Sequence, residues 1–317
     1  MGWSFTSKDI IRVQLEIGNY CNLSCPSCTR SSRAKHNLPL NTEFLSLDVI
    51  KKELRRDNLP SIERIVMSGN VEEPTLHPDI ESIIEYLCDT FPDALIEISS
   101  NASTRDPEFW KRLGELSATK NFRATFAIDG LEDTNQLYRI GSDWDTIVKN
   151  FRSYLAVGNT NSVWQCVVFD HNKHQIDEIR EFAKAEGFEQ IAIRYSGRIS
   201  RESNTNVMTD ANIIENNNIV CKSQFGPSHI TPSIFINYSG DVAPCCFQDP
   251  HHKHATLANT IKSDPSVFYN IKNNTLSEIV DGEYFELFDK HMATDSLCIK
   301  HCKQNHKDIS TYHNIRK

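Results

Sequence analysis

Three cysteines stand within eight residues near the start of the chain, in Cys21-Asn22-Leu23-Ser24-Cys25-Pro26-Ser27-Cys28. Thiolates are soft ligands suited to iron–sulfur clusters and to zinc. On one loop at this spacing they can converge on a single centre. As a trio they leave one coordination position open, which suits an iron–sulfur cluster. A zinc site would need completion by His36 or a distant ligand. A second group of five thiols lies late in the chain: Cys221, then Cys245 and Cys246 directly after Gly240-Asp241-Val242-Ala243-Pro244, then Cys298 and Cys302. Four of them can complete a closed four-thiolate site, again for iron–sulfur or zinc. Cys88 on a helical stretch and Cys166 in a strand-like run read as buried thiols. His251, His252 and His254 read as a solvated loop.

The elements that must position these groups alternate. Strand-like runs rich in Ile, Val or Phe fall at Arg12–Ile17, Ile62–Ser68, Ala94–Ser99, Phe122–Ile128, Val163–Phe169 and Gln190–Tyr195. Helix-like stretches lie between them at Ser46–Asp57, Asp79–Thr90, Pro107–Leu116, Trp144–Val157 and His174–Glu186. Ile80, Ile83, Ile84 and Leu87 form one helical face. Ser46 and Asp79 can cap helices, Pro107 suits a first helical position, and Gly187 marks a stop. This alternation argues for a parallel α/β sheet or barrel. The first cysteine loop then follows the first strand, at the end of the sheet where such folds place their chemistry. The rhythm breaks in the Asn-rich segment near 196. Beyond it, Ser239-Gly240 signals a hairpin, and Leu276–Phe288 carries apolar residues at helical spacing. The division expected is 1–195, a linker at 196–220, and a small unit at 221–317.

Composition narrows the function. The chain has 317 residues, 39% hydrophobic and 24% charged, with a formal net charge of −8. That is ordinary globular composition. It lacks the basic footprint of a nucleic-acid binder. No apolar run reaches the length of a membrane span, and the N-terminus does not resemble a signal peptide. Clustered thiols in such a chain point to metal or catalysis in a cytoplasmic protein.

The Cys21-x3-Cys25-x2-Cys28 spacing after the first strand of a repeating β/α unit resembles the radical S-adenosylmethionine (SAM) enzymes. The resemblance implies a partial (β/α)6 TIM-like barrel and a [4Fe-4S] cluster held by Cys21, Cys25 and Cys28. The fourth iron would chelate SAM, whose reductive cleavage yields a 5′-deoxyadenosyl radical. Ser27 departs from the aromatic residue usual before the third cysteine. Gly69-Asn70-Val71-Glu72-Glu73-Pro74 resembles the family's Gly-Gly-Glu-Pro stretch, which implies that Glu73 accepts from the SAM amino group. Val71 and Glu72 replace the glycines there. Asn101, ending the third strand in Ser99-Ser100-Asn101, would reach the ribose or carboxylate. Asp129 at the end of the fourth strand, Arg139 ten residues on, and Asn172 past the fifth strand are further SAM-contact candidates. The Gly240-x4-Cys245 hairpin resembles the auxiliary-cluster (twitch or SPASM) domains of the same family. That implies one auxiliary [4Fe-4S] cluster on Cys221, Cys245, Cys298 and Cys302, with Cys246 spare or an alternative.

The resemblance implies an oxidoreductase that abstracts hydrogen from a substrate carbon, with the auxiliary cluster assisting oxidation. The substrate would be a peptide side chain or a sugar or aminocyclitol, and a flavodoxin or ferredoxin would be the electron donor. No nucleic-acid or membrane partner is expected. The alternative is a non-catalytic, zinc-stabilised binding protein.

Overall fold

The computed structural model describes residues 5–35, 42–195, 232–251, 255–264, 267–291, 294–296, 298 and 310–314, with 195 and 310–314 described by backbone alone. In chain order the main elements are β1 (Arg12–Leu15), α1 (Thr29–Lys35), α2 (Leu47–Glu53), β2 (Arg64–Met67), α3 (Ile80–Thr90), β3 (Leu95–Ser100), α4 (Pro107–Thr119), β4 (Phe122–Ala127), α5 (Asn135–Tyr138), α6 (Trp144–Leu155), β5 (Ser162–Val168), α7 (Ile176–Glu186), β6 (Gln190–Tyr195), β7 (Ser233–Ile236), β8 (Val242–Ala243), α8 (Thr256–Lys262), α9 (Leu276–Val280), α10 (Glu283–His291) and β9 (Ser310–Asn314).

Strands β1 to β6 lie side by side in sequence order and pair in parallel. Their carboxyl ends therefore share one rim, the condition for loops far apart in sequence to build one site. Alternation along each strand sorts side chains by face. In the first, Val13, Leu15 and Ile17 enter the apolar core beneath the helices. The other face carries Arg12, Gln14 and Glu16. On the same inward face of β2, β3 and β4, Glu97 accepts hydrogen bonds from Arg64, Arg123 and Thr125. Between the sheet and α4, α6 and α7, the rings of Trp110, Phe126, Phe151, Tyr154, Trp164 and Phe188 are fully buried and packed on one another.

The predicted strands and helices all form, most of them trimmed or extended by a few residues. Ser46 caps α2 through the Val49 N–H, and Asp106 and Asp143 cap α4 and α6. Asp79 precedes α3 but its carboxylate makes no cap; its N–H donates instead to His77 Nδ1, 3.0 Å away. Gly187 ends α7 at φ 91°, the left-handed conformation glycine adopts without cost. The Leu276–Phe288 stretch is two helices rather than one, broken at Asp281-Gly282.

The hairpin at Ser239-Gly240 is present, with Gly240 at φ 85° and β8 antiparallel to β7. It does not stand apart from the sheet. Strand β7 pairs in parallel with β1, while β9 runs antiparallel to β6 and covers the opposite edge. The expected linker at 196–220 lies outside the described residues.

Candidate active site

The cysteine loop leaves β1 at the carboxyl rim and runs into α1. The Cys28 N–H donates to Cys25 O at 3.1 Å, a turn that starts the helix. The Leu23 N–H donates to Cys21 Sγ at 3.4 Å, and Cys28 Sγ reaches Asn70 O at 3.7 Å. The loop is held from its far side as well, where the Ser24 N–H donates to Ile140 O.

Cys25 is buried, Cys21 and Cys28 are half-buried, and no described cysteine is in a disulfide. Burial pushes the Cys21 thiol up to about 12. It pushes Cys25 up to about 11, against the pull of the Arg139 guanidinium. Metal binding at such thiols must expel their protons, so affinity there is coupled to pH. Among the described residues no trio of His, Cys, Asp and Glu is drawn around one point tightly enough for a single ion. An iron–sulfur cube takes each ligand on a separate iron and so needs a wider triangle. The donor set, three thiols on one loop with no carboxylate or imidazole among them, fits such a cluster. His36 lies outside the described residues.

Glu73 follows β2 and is buried. Its Oε1 accepts from Thr75 Oγ1 at 2.7 Å, and its Oε2 from the Asn101 N–H at 2.8 Å. Burial raises its carboxyl above the ordinary range despite these donors. The Glu73 N–H itself donates to Tyr20 O, one residue before Cys21. Asn101, at the end of β3, turns its side chain onto the cysteine loop, donating from Nδ2 to Asn22 Oδ1 at 3.0 Å and lying 3.9 Å from Cys21 Sγ. Cys21, Glu73 and Asn101 thus form one contiguous cluster. Ser27, where an aromatic residue is usual, buries its hydroxyl without a hydrogen-bond partner.

Asp129, two residues past β4, has no exposed surface. Its Oδ1 accepts from the Val167 N–H and its Oδ2 from Arg139 Nε, each at 2.7 Å. The ion pair uses Nε rather than the terminal Nη groups, and so aims the guanidinium. Asn172 is different. Its Nδ2 donates to Asp129 O and Val167 O, and its Oδ1 accepts from the Phe169 N–H. These bonds make the fully buried Asn172 a brace between the ends of β4 and β5.

In the second group, Cys221 and Cys302 lie outside the described residues. Cys245 and Cys298 are drawn together through Gln248. The Gln248 N–H donates to Cys245 O, and Nε2 lies 3.3 Å from Cys298 Sγ and 2.9 Å from Asp295 Oδ2. Asn70 links the two groups, since its Nδ2 donates to Cys246 O at 3.1 Å while its carbonyl meets Cys28. His251 is not solvated as expected: its Nδ1 meets Tyr238 OH, and its Nε2 lies 3.4 Å from Asp241. His252 and His254 are outside the described residues.

Sequence reasoning missed two acidic residues. Glu16, just past β1, has no exposed surface; its Oε2 accepts from the N–H groups of Asn70 and Val71. Glu72 Oε2 accepts from the N–H groups of Ile17 and Gly18, at 2.9 and 2.7 Å. The one available signal was Glu16 standing in register with inward-facing Arg12 and Gln14.

Comparison with known families matches the "Radical SAM superfamily" over residues 15–183 and an "Iron-sulfur cluster-binding domain", SPASM, over residues 228–304. The second match includes Cys245, Cys246, Cys298 and Cys302 but not Cys221. No curated protein is matched by sequence. Among solved structures, Streptococcus suis SuiB bound to S-adenosylmethionine is similar, with 14% identity and TM-score 0.61 over 92% of this chain and 72% of that one. The same SuiB bound to precursor peptide SuiA gives 16% identity and TM-score 0.58, over 88% and 66%. The enzyme anSMEcpe with bound AdoMet gives 14% identity and TM-score 0.61, over 89% and 84%. At these identities the structures establish the fold, a TIM-like partial barrel. The first family match spans more than half the chain and carries a [4Fe-4S] cluster and SAM with it, as the second carries auxiliary iron–sulfur binding. The chain belongs to the radical SAM superfamily, as an iron–sulfur enzyme with a C-terminal SPASM region.

Proposed function

We propose that the protein is a radical SAM oxidoreductase in which Cys21, Cys25 and Cys28 hold the SAM-binding cluster and the rear thiols, Cys245 and Cys298 among them, hold an auxiliary cluster. When bound, the cluster and SAM together supply a 5′-deoxyadenosyl radical for hydrogen abstraction; such cofactors carry the difficult chemistry and the protein orients and secludes it. The observation that carries this reading is the contiguous Cys21–Asn101–Glu73 cluster, which joins the ends of the first three strands at one rim. Glu73 offers a buried carboxylate for an amino group. Arg139, aimed by Asp129, offers a planar fork for a carboxylate. An amino acid moiety would span the two.

Gln248 bonds both the Cys245 carbonyl and the Cys298 thiol, and Asn70 joins that turn to the front loop. This supports a rear cluster that takes an electron from the substrate after hydrogen abstraction, a net oxidation in a cytoplasmic enzyme supplied with electrons by a flavodoxin or ferredoxin. A peptide side chain is the favoured substrate, because SuiB and anSMEcpe, whose fold the chain shares, are known bound to peptides; a sugar or aminocyclitol is the second class.

The test is anaerobic reconstitution with iron and sulfide, followed by reduction and addition of SAM. Formation of 5′-deoxyadenosine, dependent on Cys25, supports the proposal. A colourless zinc protein that leaves SAM intact refutes it.

A further inference from the structure

The cysteine loop and the Glu73 loop leave neighbouring strands, and two carboxylates cross between them in opposite directions. Glu16 reaches from the end of β1 to the N–H groups of residues 70 and 71. Glu72 reaches back to the N–H groups of residues 17 and 18. Each uses a single oxygen, Oε2, for both of its donors. In each, Oε1 is buried with no hydrogen-bond partner. The backbone is moulded to this arrangement, because a Cβ at Gly69 would collide with the Glu16 carboxylate. No other residue type leaves room for Glu16 to approach.

Two carboxylates buried this closely are an expensive way to stitch loops. Burial, then the charge of Asp249, pushes Glu16 well above the ordinary carboxyl range; burial, then Glu16 itself, pushes Glu72 the same way. Such groups favour the protonated form, which still accepts through its carbonyl oxygen. What the arrangement achieves is registration. Four backbone N–H groups are fixed by side chains from the opposite loop, and the Glu73 N–H to Tyr20 O bond lies beside them. Cys21 follows Tyr20 directly, and Glu73 follows Glu72.

We propose that Glu16 and Glu72 form a reciprocal clasp that sets the distance between the cysteine loop and Glu73, and so act as positioning residues for SAM. The inference rests on Glu73 facing SAM, as proposed above. Both carboxylates spend Oε2 on backbone N–H groups of the opposite loop. They act through the loops they hold, and groups of that kind typically change affinity or activity by about 10- to 100-fold when lost.

The experiment compares reconstituted wild type with E16A, E72A, E16Q and E72Q. Iron per chain, the change SAM causes in the EPR spectrum of the reduced cluster, and SAM affinity are measured together. The alanine variants should keep their front-cluster iron yet bind SAM about 10- to 100-fold more weakly. Glutamine keeps a carbonyl acceptor for the two N–H groups and mimics the protonated acid, so the glutamine variants should bind within about threefold of wild type. Alanine variants that hold iron and bind SAM as wild type does would overturn the clasp, as would glutamine variants as weak as alanine. If the alanine variants are insoluble, E72D decides: one methylene shorter, it should bind SAM more than about threefold more weakly, and unchanged affinity overturns the proposal. A wild type that shows no response to SAM would instead refute the reading of the site itself.

Discussion

Asp241 opens the short strand that leads to Cys245, and its side chain is almost completely buried. Its Oδ2 lies 2.7 Å from Lys262 Nζ and 3.4 Å from His251 Nε2, and its Oδ1 accepts from Asn270 Nδ2 at 2.6 Å. Burial alone would raise this carboxyl. The neighbouring His251 ring, with the hydrogen bond and charge of Lys262, outweighs it and holds the group at about 2, against an ordinary 3.8. A folded-state value below the unfolded one means stability that is fully present above the ordinary aspartate range and is lost as pH falls toward 2. At about 1.4 kcal/mol per tenfold shift, Asp241 contributes roughly 2.5 kcal/mol at neutral pH. D241N keeps the shape, removes the charge and leaves Lys262 half-buried without its counterion. Urea unfolding of the holoprotein under anaerobic conditions at pH 7.5 should show a loss of about 2 to 3 kcal/mol. D241N and K262M combined should cost less than the sum of the two. A loss below about 0.5 kcal/mol, or strict additivity, would refute the argument, because it would mean the pair is screened like a surface bridge.

Two other perturbations probe the sheet and the rear thiols. Glu97 stands between Arg64 and Arg123; burial opposes its ionisation, but the two guanidiniums win and hold it below the ordinary range. E97Q should therefore cost about 3 kcal/mol in urea unfolding at neutral pH, by stranding two charges on the inward face. The wild-type advantage should shrink as pH falls below the ordinary glutamate range. C298A should lower iron per chain while leaving 5′-deoxyadenosine formation partly intact; full iron retention would remove Cys298 from the ligand set.

The parallel arrangement was legible because Val13, Leu15 and Ile17, or Ile80, Ile83, Ile84 and Leu87, carry the period of their element in their own spacing. Gly187 was legible for a similar reason, since one residue type satisfies a left-handed helix stop. The clasp was not. Glu16 in a strand pattern looks like a solvated charge, and its burial depends on N–H groups more than fifty residues away. The bracing role of Asn172 was also hidden. An amide just past a strand suits a ligand, and only the carbonyls of Asp129 and Val167 reveal that both its donors are used. The pairing of β7 with β1 also joins residues too far apart for local pattern to disclose. The break at Asp281-Gly282 was hidden because the apolar spacing runs on across it from one helix to the next.

In the proposed site three thiols hold a cluster with one iron open to SAM. The most direct measurement is the EPR spectrum of the reduced, reconstituted protein with and without SAM, using the Cys21, Cys25 and Cys28 triple alanine variant as reference. The signal absent from that variant should change on adding SAM. A signal that disappears in the variant yet ignores saturating SAM would show a cluster with no vacant iron, and so no SAM-binding centre.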